Sequence, residues 1–298
     1  MGDHYLPQYY LKGFTESGDS DFLYRYERGH KHYLRTKVKN VAQETGFYSR
    51  SMESYLANEI ENSANPAIKK LRELQQIDAN ERRALTRYIV TMIKRVPQNK
   101  EQARQWLKEI SDPYLLQLEN DIQNILLTNS SKKDIAEKRL GEIKQIREQK
   151  RIKPEQIWNP TIPPEQTPTV SLAVEAMTWK YMVSRDDVFV TSDNPVFFFR
   201  EIGVGNERSE LTFPISSKII LWATWESKYK GGFHKVRDRN IREFNRRVAS
   251  SVKRYAFYSQ GTAWVSKLIS RKSYKLSYLV QNGKLPNELL KLIAQLEE

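Results

Sequence analysis

The spacing of apolar and polar positions changes along the chain and divides it into regions. Residues 21–26 and 32–36 alternate apolar and polar side chains, and Arg28-Gly29-His30 between them supplies a turn. Strict alternation places successive side chains on opposite faces of a strand. The pattern therefore predicts a β-hairpin near the N-terminus.

Helical periodicity replaces the alternation from Ser51 onward. Apolar residues recur every three or four positions over 56–71. A second stripe over 84–96 follows Asp78 and Glu81, which have capping-box spacing, and a third helical region covers 106–126. Lys132–Lys153 predicts a thin amphipathic helix, which suits a projecting basic arm because so narrow a stripe buries little.

The region after the helices has a different pattern. Prolines between 154 and 168 predict an extended connection and a boundary. The elements predicted beyond it are a helix at Ser171–Tyr181, strands at Val188–Val190, Val196–Phe199, Lys218–Thr224 and Arg254–Tyr258, and helices at Arg237–Ser251 and Asn287–Ile293. We therefore expect an α+β fold: a hairpin and helical region over 1–153, and mixed strands with helices over 154–298, packed as one unit.

Composition narrows the class of protein. The 298 residues include no cysteine, 49 Lys and Arg, and 36 Asp and Glu, which leave a formal net charge of +13. The lack of cysteine excludes disulfides, thiolate metal sites and a cysteine nucleophile, and it suits a reducing compartment. No run approaches the roughly 20 apolar residues of a membrane span, and the N-terminus lacks a secretory signal pattern. We expect a cytosolic protein with no membrane partner.

Positive charge is concentrated toward the C-terminus. From Phe244 to Asn287 the chain has no Asp or Glu, and its cations are interleaved with aromatic residues. Cations beside rings suit a nucleic-acid chain, although a solvated basic face over an aromatic core gives the same pattern. The candidate phosphate-binding residues are Arg239, Arg242, Arg246, Arg247, Lys253, Arg254, Arg271 and Lys272. We expect several of them to share one exposed helical face.

The chain lacks a Walker loop, a metalloprotease helix and a dinucleotide-binding glycine pattern, but it carries a polar constellation. His4 and Gln8 lie about one helical turn apart among aromatic residues, where polar groups need hydrogen-bond partners. At 100° per residue, Glu53 points along the buried stripe of its helix and Glu61 lies about 80° round. Asp193 lies in a turn between two apolar segments. We expect His4 or Gln8 to hydrogen-bond Glu53 or Glu61.

Several spaced motifs accompany these residues. They are His4-Tyr-Leu-Pro7-Gln8-Tyr-Tyr-Leu11, Lys39-Asn40-Val41-Ala-Gln-Glu44 with Phe47-Tyr48, Glu53 and Glu61 ahead of Asn65-Pro66-Ala67-Ile68, Arg95-Val-Pro97, Thr191-Ser-Asp193-Asn194-Pro195 and Phe213-Pro214. Together they resemble the bacterial family catalogued as domain of unknown function 4238, from His4 to about Tyr258. The family carries no established activity, so the resemblance supports the choice of residues and implies no reaction. Lys132–Lys153 departs from it.

The leading functional hypothesis is a nuclease for DNA or RNA phosphodiesters, in the manner of a toxin or defence effector. Glu53 and Asp193 would act as base or metal ligands, with Glu61 beside them, His4 as proton donor and Gln8 orienting the scissile group. The cofactor is left open, and a divalent metal is compatible with these residue types.

Non-catalytic functions fit the same sequence. The chain could be a nucleic-acid-binding module, or its basic face could meet an acidic protein. In both cases His4, Gln8 and Glu53 would form a buried structural network. Cleavage of the bound nucleic acid separates the nuclease from these alternatives, whereas salt-dependent binding is common to both nucleic-acid hypotheses.

Overall fold

The computed structural model describes residues 2–16, 21–106, 112–128, 133–148, 158–160, 168–200, 202–226 and 231–270. Its helices are α1 (Gln8–Leu11), α2 (Arg50–Tyr55), α3 (Asn62–Arg72), α4 (Ala79–Lys94), α5 (Pro97–Trp106), α6 (Asp112–Thr128), α7 (Lys133–Glu148), α8 (Thr169–Ala176), α9 (Asp238–Ser251) and α10 (Ala263–Ser270). Its strands are β1 (Asp3–His4), β2 (Phe22–Glu27), β3 (Tyr33–Lys37), β4 (Gln43–Glu44), β5 (Thr178–Val183), β6 (Thr191–Ser192), β7 (Phe197–Phe198), β8 (Glu210–Ser216), β9 (Ile219–Thr224), β10 (Gly232–Lys235) and β11 (Tyr255–Tyr258). A π-helical segment, Leu56–Glu61, joins α2 to α3.

The strands form three sheets. One has the order β3-β2-β11-β6, a second the order β10-β5-β9-β8-β7, and β1 pairs with β4. Every pairing is antiparallel except that of β10 with β5. The predicted hairpin β2-β3 is confirmed, and β11 from the C-terminal half extends its sheet by pairing with β2. This mixed architecture confirms the predicted α+β class.

Two compact units divide the chain. One contains residues 1–96 together with 161–298, and the other is Pro97–Pro160. The second unit holds α5, α6 and α7, of which α6 and α7 pack against each other. The sequence had placed a division after residue 153.

Helix α9 packs between the two larger sheets of the first unit. Val248 and Ala249 lie in an apolar cluster with Tyr26, Ala256 and residues of α10, beside the sheet that contains β2 and β11. Phe244, on the other side of the helix, packs with Met182, Ile220 and Trp222 of the five-stranded sheet. Two sheets therefore bury most of this helix and leave a narrow side in solvent.

Several predicted elements are confirmed and others are corrected. The capping box of Asp78 and Glu81 is present at the start of α4, and β9, α9 and β11 lie where the pattern placed them. The helix predicted over Ser171–Tyr181 is wrong in its second half, because α8 ends at Ala176 and β5 begins at Thr178. Four of the six residues of β5 are buried in an unbroken run, so its sequence shows no alternation. The terminal helix predicted at Asn287–Ile293 lies outside the described residues.

The strand predicted at Val188–Val190 is also wrong. The side-chain amide of Asn245 on α9 donates to the carbonyl of Val188 at 2.9 Å and accepts from the N–H of Val190 at 3.1 Å. An asparagine side chain thus satisfies backbone groups that a neighbouring strand would otherwise pair. Strands β8 and β10 were not predicted; β8 contains Pro214 and a register shift beside it, which hide its strand pattern.

Arginines fix the packing of distant segments through backbone carbonyls. Arg72 on α3 donates to the carbonyls of Tyr9 at 3.2 Å, Tyr10 at 2.9 Å and Ile215 at 3.1 Å. Arg82 on α4 donates to the carbonyls of Glu175 and Met177, at the C-terminal end of α8. Burial lowers the pKa of both guanidinium groups. Each arginine therefore connects a helix to a segment that the sequence places far away.

Replacing Gly13 by Ala should destabilise the first unit. A Cβ at this position would lie 2.8 Å from the backbone oxygen of Ile215 and against the guanidinium of Arg72. Overpacking of this kind costs about 1–3 kcal/mol of unfolding free energy, measured by chemical denaturation. Gly205→Ala is the matched control, because no atom lies within 4 Å of a Cβ there. Equal denaturation midpoints for the two variants would contradict the expectation.

Candidate functional site

A buried arginine joins the N-terminal segment to the π-helical segment. Arg95, which follows α4, is 2% exposed. Its Nη1 donates to Oε1 of Glu61 at 2.7 Å, its Nη2 to the backbone carbonyl of His4 at 2.7 Å, and its Nε to the hydroxyl of Tyr48 at 3.2 Å. Although burial opposes its charge, Tyr48 and Glu61 raise the pKa of Arg95. We call the group His4, Tyr48, Glu61 and Arg95 the polar junction.

His4 is the group in the polar junction best suited to proton transfer. Its half-buried ring contacts the backbone carbonyl of Lys39 through Nε2 at 3.3 Å. Because a carbonyl can only accept, Nε2 carries the proton and Nδ1 has the free lone pair in the neutral ring. Burial lowers the pKa of His4; Arg95 acts in the same direction, while the bond to Lys39 and the charges of Glu61 and Glu53 oppose it. The imidazole is therefore neutral at neutral pH and can accept a proton.

The hydroxyl of Tyr88 on α4 is fully buried near the charges of the polar junction and has no hydrogen-bond partner in the described chain. Burial raises the pKa of Tyr88; the charge of Glu61 also raises this pKa, whereas the charge of Arg95 lowers it. Unsatisfied polar groups are rare in protein interiors and are commonest where a site exists for water or a ligand.

The predicted contacts of Glu53 and Gln8 are wrong. Both residues are exposed, and the described structure has no direct hydrogen bond from His4 or Gln8 to Glu53 or Glu61. Helical arithmetic failed because Leu56–Glu61 is π-helical. A π turn inserts one residue, which rotates everything before it by about 100° relative to the stripe after it. Glu53 consequently faces solvent, and Gln8, at the start of the four-residue helix α1, is exposed although Tyr10 and Leu11 are buried.

Arg95 and Tyr48 were not predicted as site residues. Arg95 stood only within the Arg95-Val96-Pro97 motif of the resemblance. The available signal for the burial of Arg95 was its position at the end of an apolar stripe, directly before the apolar Val96.

Asp193 has a structural role that is separate from the polar junction. Its carboxylate is 4% exposed and accepts the backbone N–H groups of Lys253 at 2.9 Å, Arg254 at 2.6 Å and Tyr255 at 3.0 Å. Burial raises the pKa of this carboxyl, and the three donors oppose the rise. Both oxygens are engaged in fixing the connection from α9 to β11, so the expectation that surroundings hold Asp193 is confirmed.

The predicted basic residues divide between surface and interior. Arg242 and Arg246 are exposed one turn apart on α9, and Lys253 and Arg254 are exposed just after it. The expectation of exposure is wrong for Arg247, which is fully buried and pairs with Glu210 at 2.6 Å. Neighbouring helical positions are 100° apart, so Arg247 faces the sheet while Arg246 faces solvent. Arg271, Lys272 and the side chain of Arg239 lie outside the described residues.

The residues whose placement is described contain no set of ligands for a metal ion. No three His, Asp or Glu side chains there gather in a way that could hold a metal ion. In the polar junction, Glu61 is already bound by Arg95. The side chains of the junction can hydrogen-bond and transfer protons.

Stability should fall as the pH drops through the titration range of His4. The folded pKa lies below the usual 6.5, so the unfolded chain takes up the proton first and unfolding becomes easier on acidification. We expect His4→Asn to lose less unfolding free energy than wild type between about pH 7.5 and about pH 5.5 in urea titrations. His32→Asn, which removes an exposed histidine, is the control. A wild-type pH dependence in His4→Asn would refute this assignment.

Comparisons with known proteins place the chain by family. No curated protein and no solved structure matches it. No helix among the described residues is long and apolar enough to cross a bilayer. A family model described as "Protein of unknown function (DUF4238)" matches residues 3–262, a range that includes the polar junction, Asp193 and α9. As its motifs indicated, the chain belongs to this family.

Proposed function

We propose that the protein is a nucleic-acid-binding module that holds a phosphodiester backbone on the exposed side of α9 and the turn after it. The observation that carries the proposal is the run of exposed cations Arg242, Arg246, Lys253 and Arg254, which we call the basic strip. Phosphates are bound by Lys and Arg irrespective of base sequence. The proposal therefore concerns backbone recognition.

The cations of the basic strip are available to an incoming phosphate. Arg246 pairs with Glu243 at 3.2 Å and Arg254 with Glu27 at 2.9 Å, and both arginine side chains are more than half exposed. Within the described chain, Arg242 and Lys253 form no ion pair. Exposed ion pairs contribute only about 0–1 kcal/mol, so a phosphate can replace a carboxylate at small cost.

Changing Arg242 and Arg246 together to Ala should weaken nucleic-acid binding and reduce its salt dependence. Each lost duplex phosphate contact lowers the slope of log K against log salt by about 0.9, so the pair removes up to about 1.8. Fluorescence anisotropy with a labelled duplex, titrated over a series of salt concentrations, measures the slope. Stability should barely change, since both side chains are exposed.

The control for this experiment is the double variant Lys69→Ala with Arg83→Ala. These exposed cations on α3 and α4 each contact one carboxylate, as Arg246 does, and their loss changes the net charge by the same amount. Control and wild type should bind alike. A wild-type protein that shows no salt-dependent binding at low ionic strength, or a control that loses as much affinity as the test variant, would end the proposal.

A nuclease is the second candidate, and the polar junction supports a mechanism that uses fewer residues than the sequence suggested. His4 has a lowered pKa and lies near the Glu61 carboxylate, which Arg95 holds in place. A neutral imidazole beside a fixed carboxylate can accept the proton of an attacking hydroxyl. This mechanism assigns no step to Gln8, Glu53 or Asp193.

If the nuclease mechanism is correct, His4→Asn should abolish cleavage and leave binding by the basic strip intact. Cleavage of a labelled oligonucleotide is measured alongside anisotropy on the same preparations. Glu53→Gln serves as the matched variant, because an exposed carboxylate outside the junction should be dispensable. Undiminished cleavage by His4→Asn would remove the nuclease candidate.

A further inference from the structure

Helix α6 exposes large apolar side chains near both of its ends, and α7 exposes one near its start. The exposed fractions are 60% for Tyr114, 47% for Leu116, 40% for Ile125, 84% for Leu127 and 68% for Ile135. Apolar groups at such exposure are stabilised when another surface covers them. Leu127 and Ile135 lie at the same end of the two helices, on either side of the short connection.

The contact between α6 and α7 is itself incompletely covered. The apolar side chains along it are half-buried: Leu115, Leu118, Ile122, Leu126, Leu140 and Ile143. Among the described side chains of these two helices, only Ala136 and Glu119 are buried. A pair of helices buries one side of each stripe, and bundles complete the burial by adding helices.

Charge favours a second copy of this chain as the covering surface. Helix α6 has three acidic residues and no Lys or Arg, whereas α7 has five basic and four acidic residues. Two α6 helices placed together would bring acids together. A two-fold axis parallel to the hairpin instead places α6 of one copy beside α7 of the other, so the acids of α6 meet a helix that carries five cations.

We propose that the protein forms a homodimer through α6 and α7, which assemble with their counterparts into a four-helix bundle. Because four residues join α6 to α7, the helices of each copy are antiparallel, and every neighbouring pair in the bundle is then antiparallel. Leu127 and Ile135 of both copies meet at one end of the bundle. The half-buried stripe of each hairpin forms its centre.

Sedimentation velocity and light scattering over a wide concentration range test the proposal with the full chain. Wild type should be dimeric. Leu127→Glu combined with Ile135→Glu should raise the dimer dissociation constant by roughly 100-fold or more, since four like charges are brought together at the apolar end of the bundle. Circular dichroism should be unchanged, because both side chains are solvent-exposed within one copy. Leu172→Glu on α8, where the leucine is 57% exposed, is the matched control and should remain dimeric.

Two outcomes would overturn the dimer. One is a wild-type monomer at every concentration; if that monomer co-sediments with phosphatidylserine vesicles, the exposed side chains belong to a membrane surface instead. The other is a dimer that the double variant leaves intact, which would place the contact elsewhere on the chain.

Discussion

Buried arginine side chains that donate to backbone carbonyls hold distant segments of the first unit together. Arg28 binds the carbonyl of Val252 directly after α9, and Arg72, Arg82 and Arg95 bind carbonyls of the N-terminal segment, β8 and α8. A guanidinium presents several donors in a planar fork, so one side chain can serve carbonyls of two segments at once. Helix ends leave such carbonyls unpaired, and a cation there also complements the helix dipole. The fold therefore uses cations where many proteins use strand pairing or caps.

Because some cations are buried in ion pairs, the net charge does not describe the field at the protein surface. Arg95 and Arg247 are buried in ion pairs with Glu61 and Glu210 and contribute little to the field outside. Replacing one partner of a buried pair leaves an uncompensated charge, which costs about 3–5 kcal/mol. A field that attracts a polyanion must come from exposed residues such as Arg242 and Lys253. Position, more than the total of +13, decides which arginines can act on a partner.

Local features were predictable from the sequence, and features created by packing were not. The hairpin β2-β3 and the capping box of α4 depend on residues within a few positions of each other, and both were predicted. The π segment at Leu56–Glu61 has no signature in the periodicity, and it rotated Glu53 by about 100° away from the expected buried side. The burial of Arg247 depends on Glu210, which lies 37 positions away on a strand that was not predicted. Of the candidate residues, His4 and Glu61 both contact Arg95, and Arg95 itself was not selected from the sequence.

Two of the motifs that carry the family resemblance meet in the structure, and one of them holds the backbone of the basic strip. The hydroxyl of Tyr10 hydrogen-bonds that of Thr191 at 2.7 Å, which joins the N-terminal motif to the Thr191–Pro195 motif. Asp193 of the second motif then holds the backbone of Lys253 and Arg254. Because the backbone is fixed, the side chains of these two cations extend from a defined turn, and in the proposed function they would lose less entropy on binding phosphate than they would from a mobile loop. Asp193 is therefore a positioning residue for this turn, and under that proposal it would act on a phosphate only through the turn that it fixes.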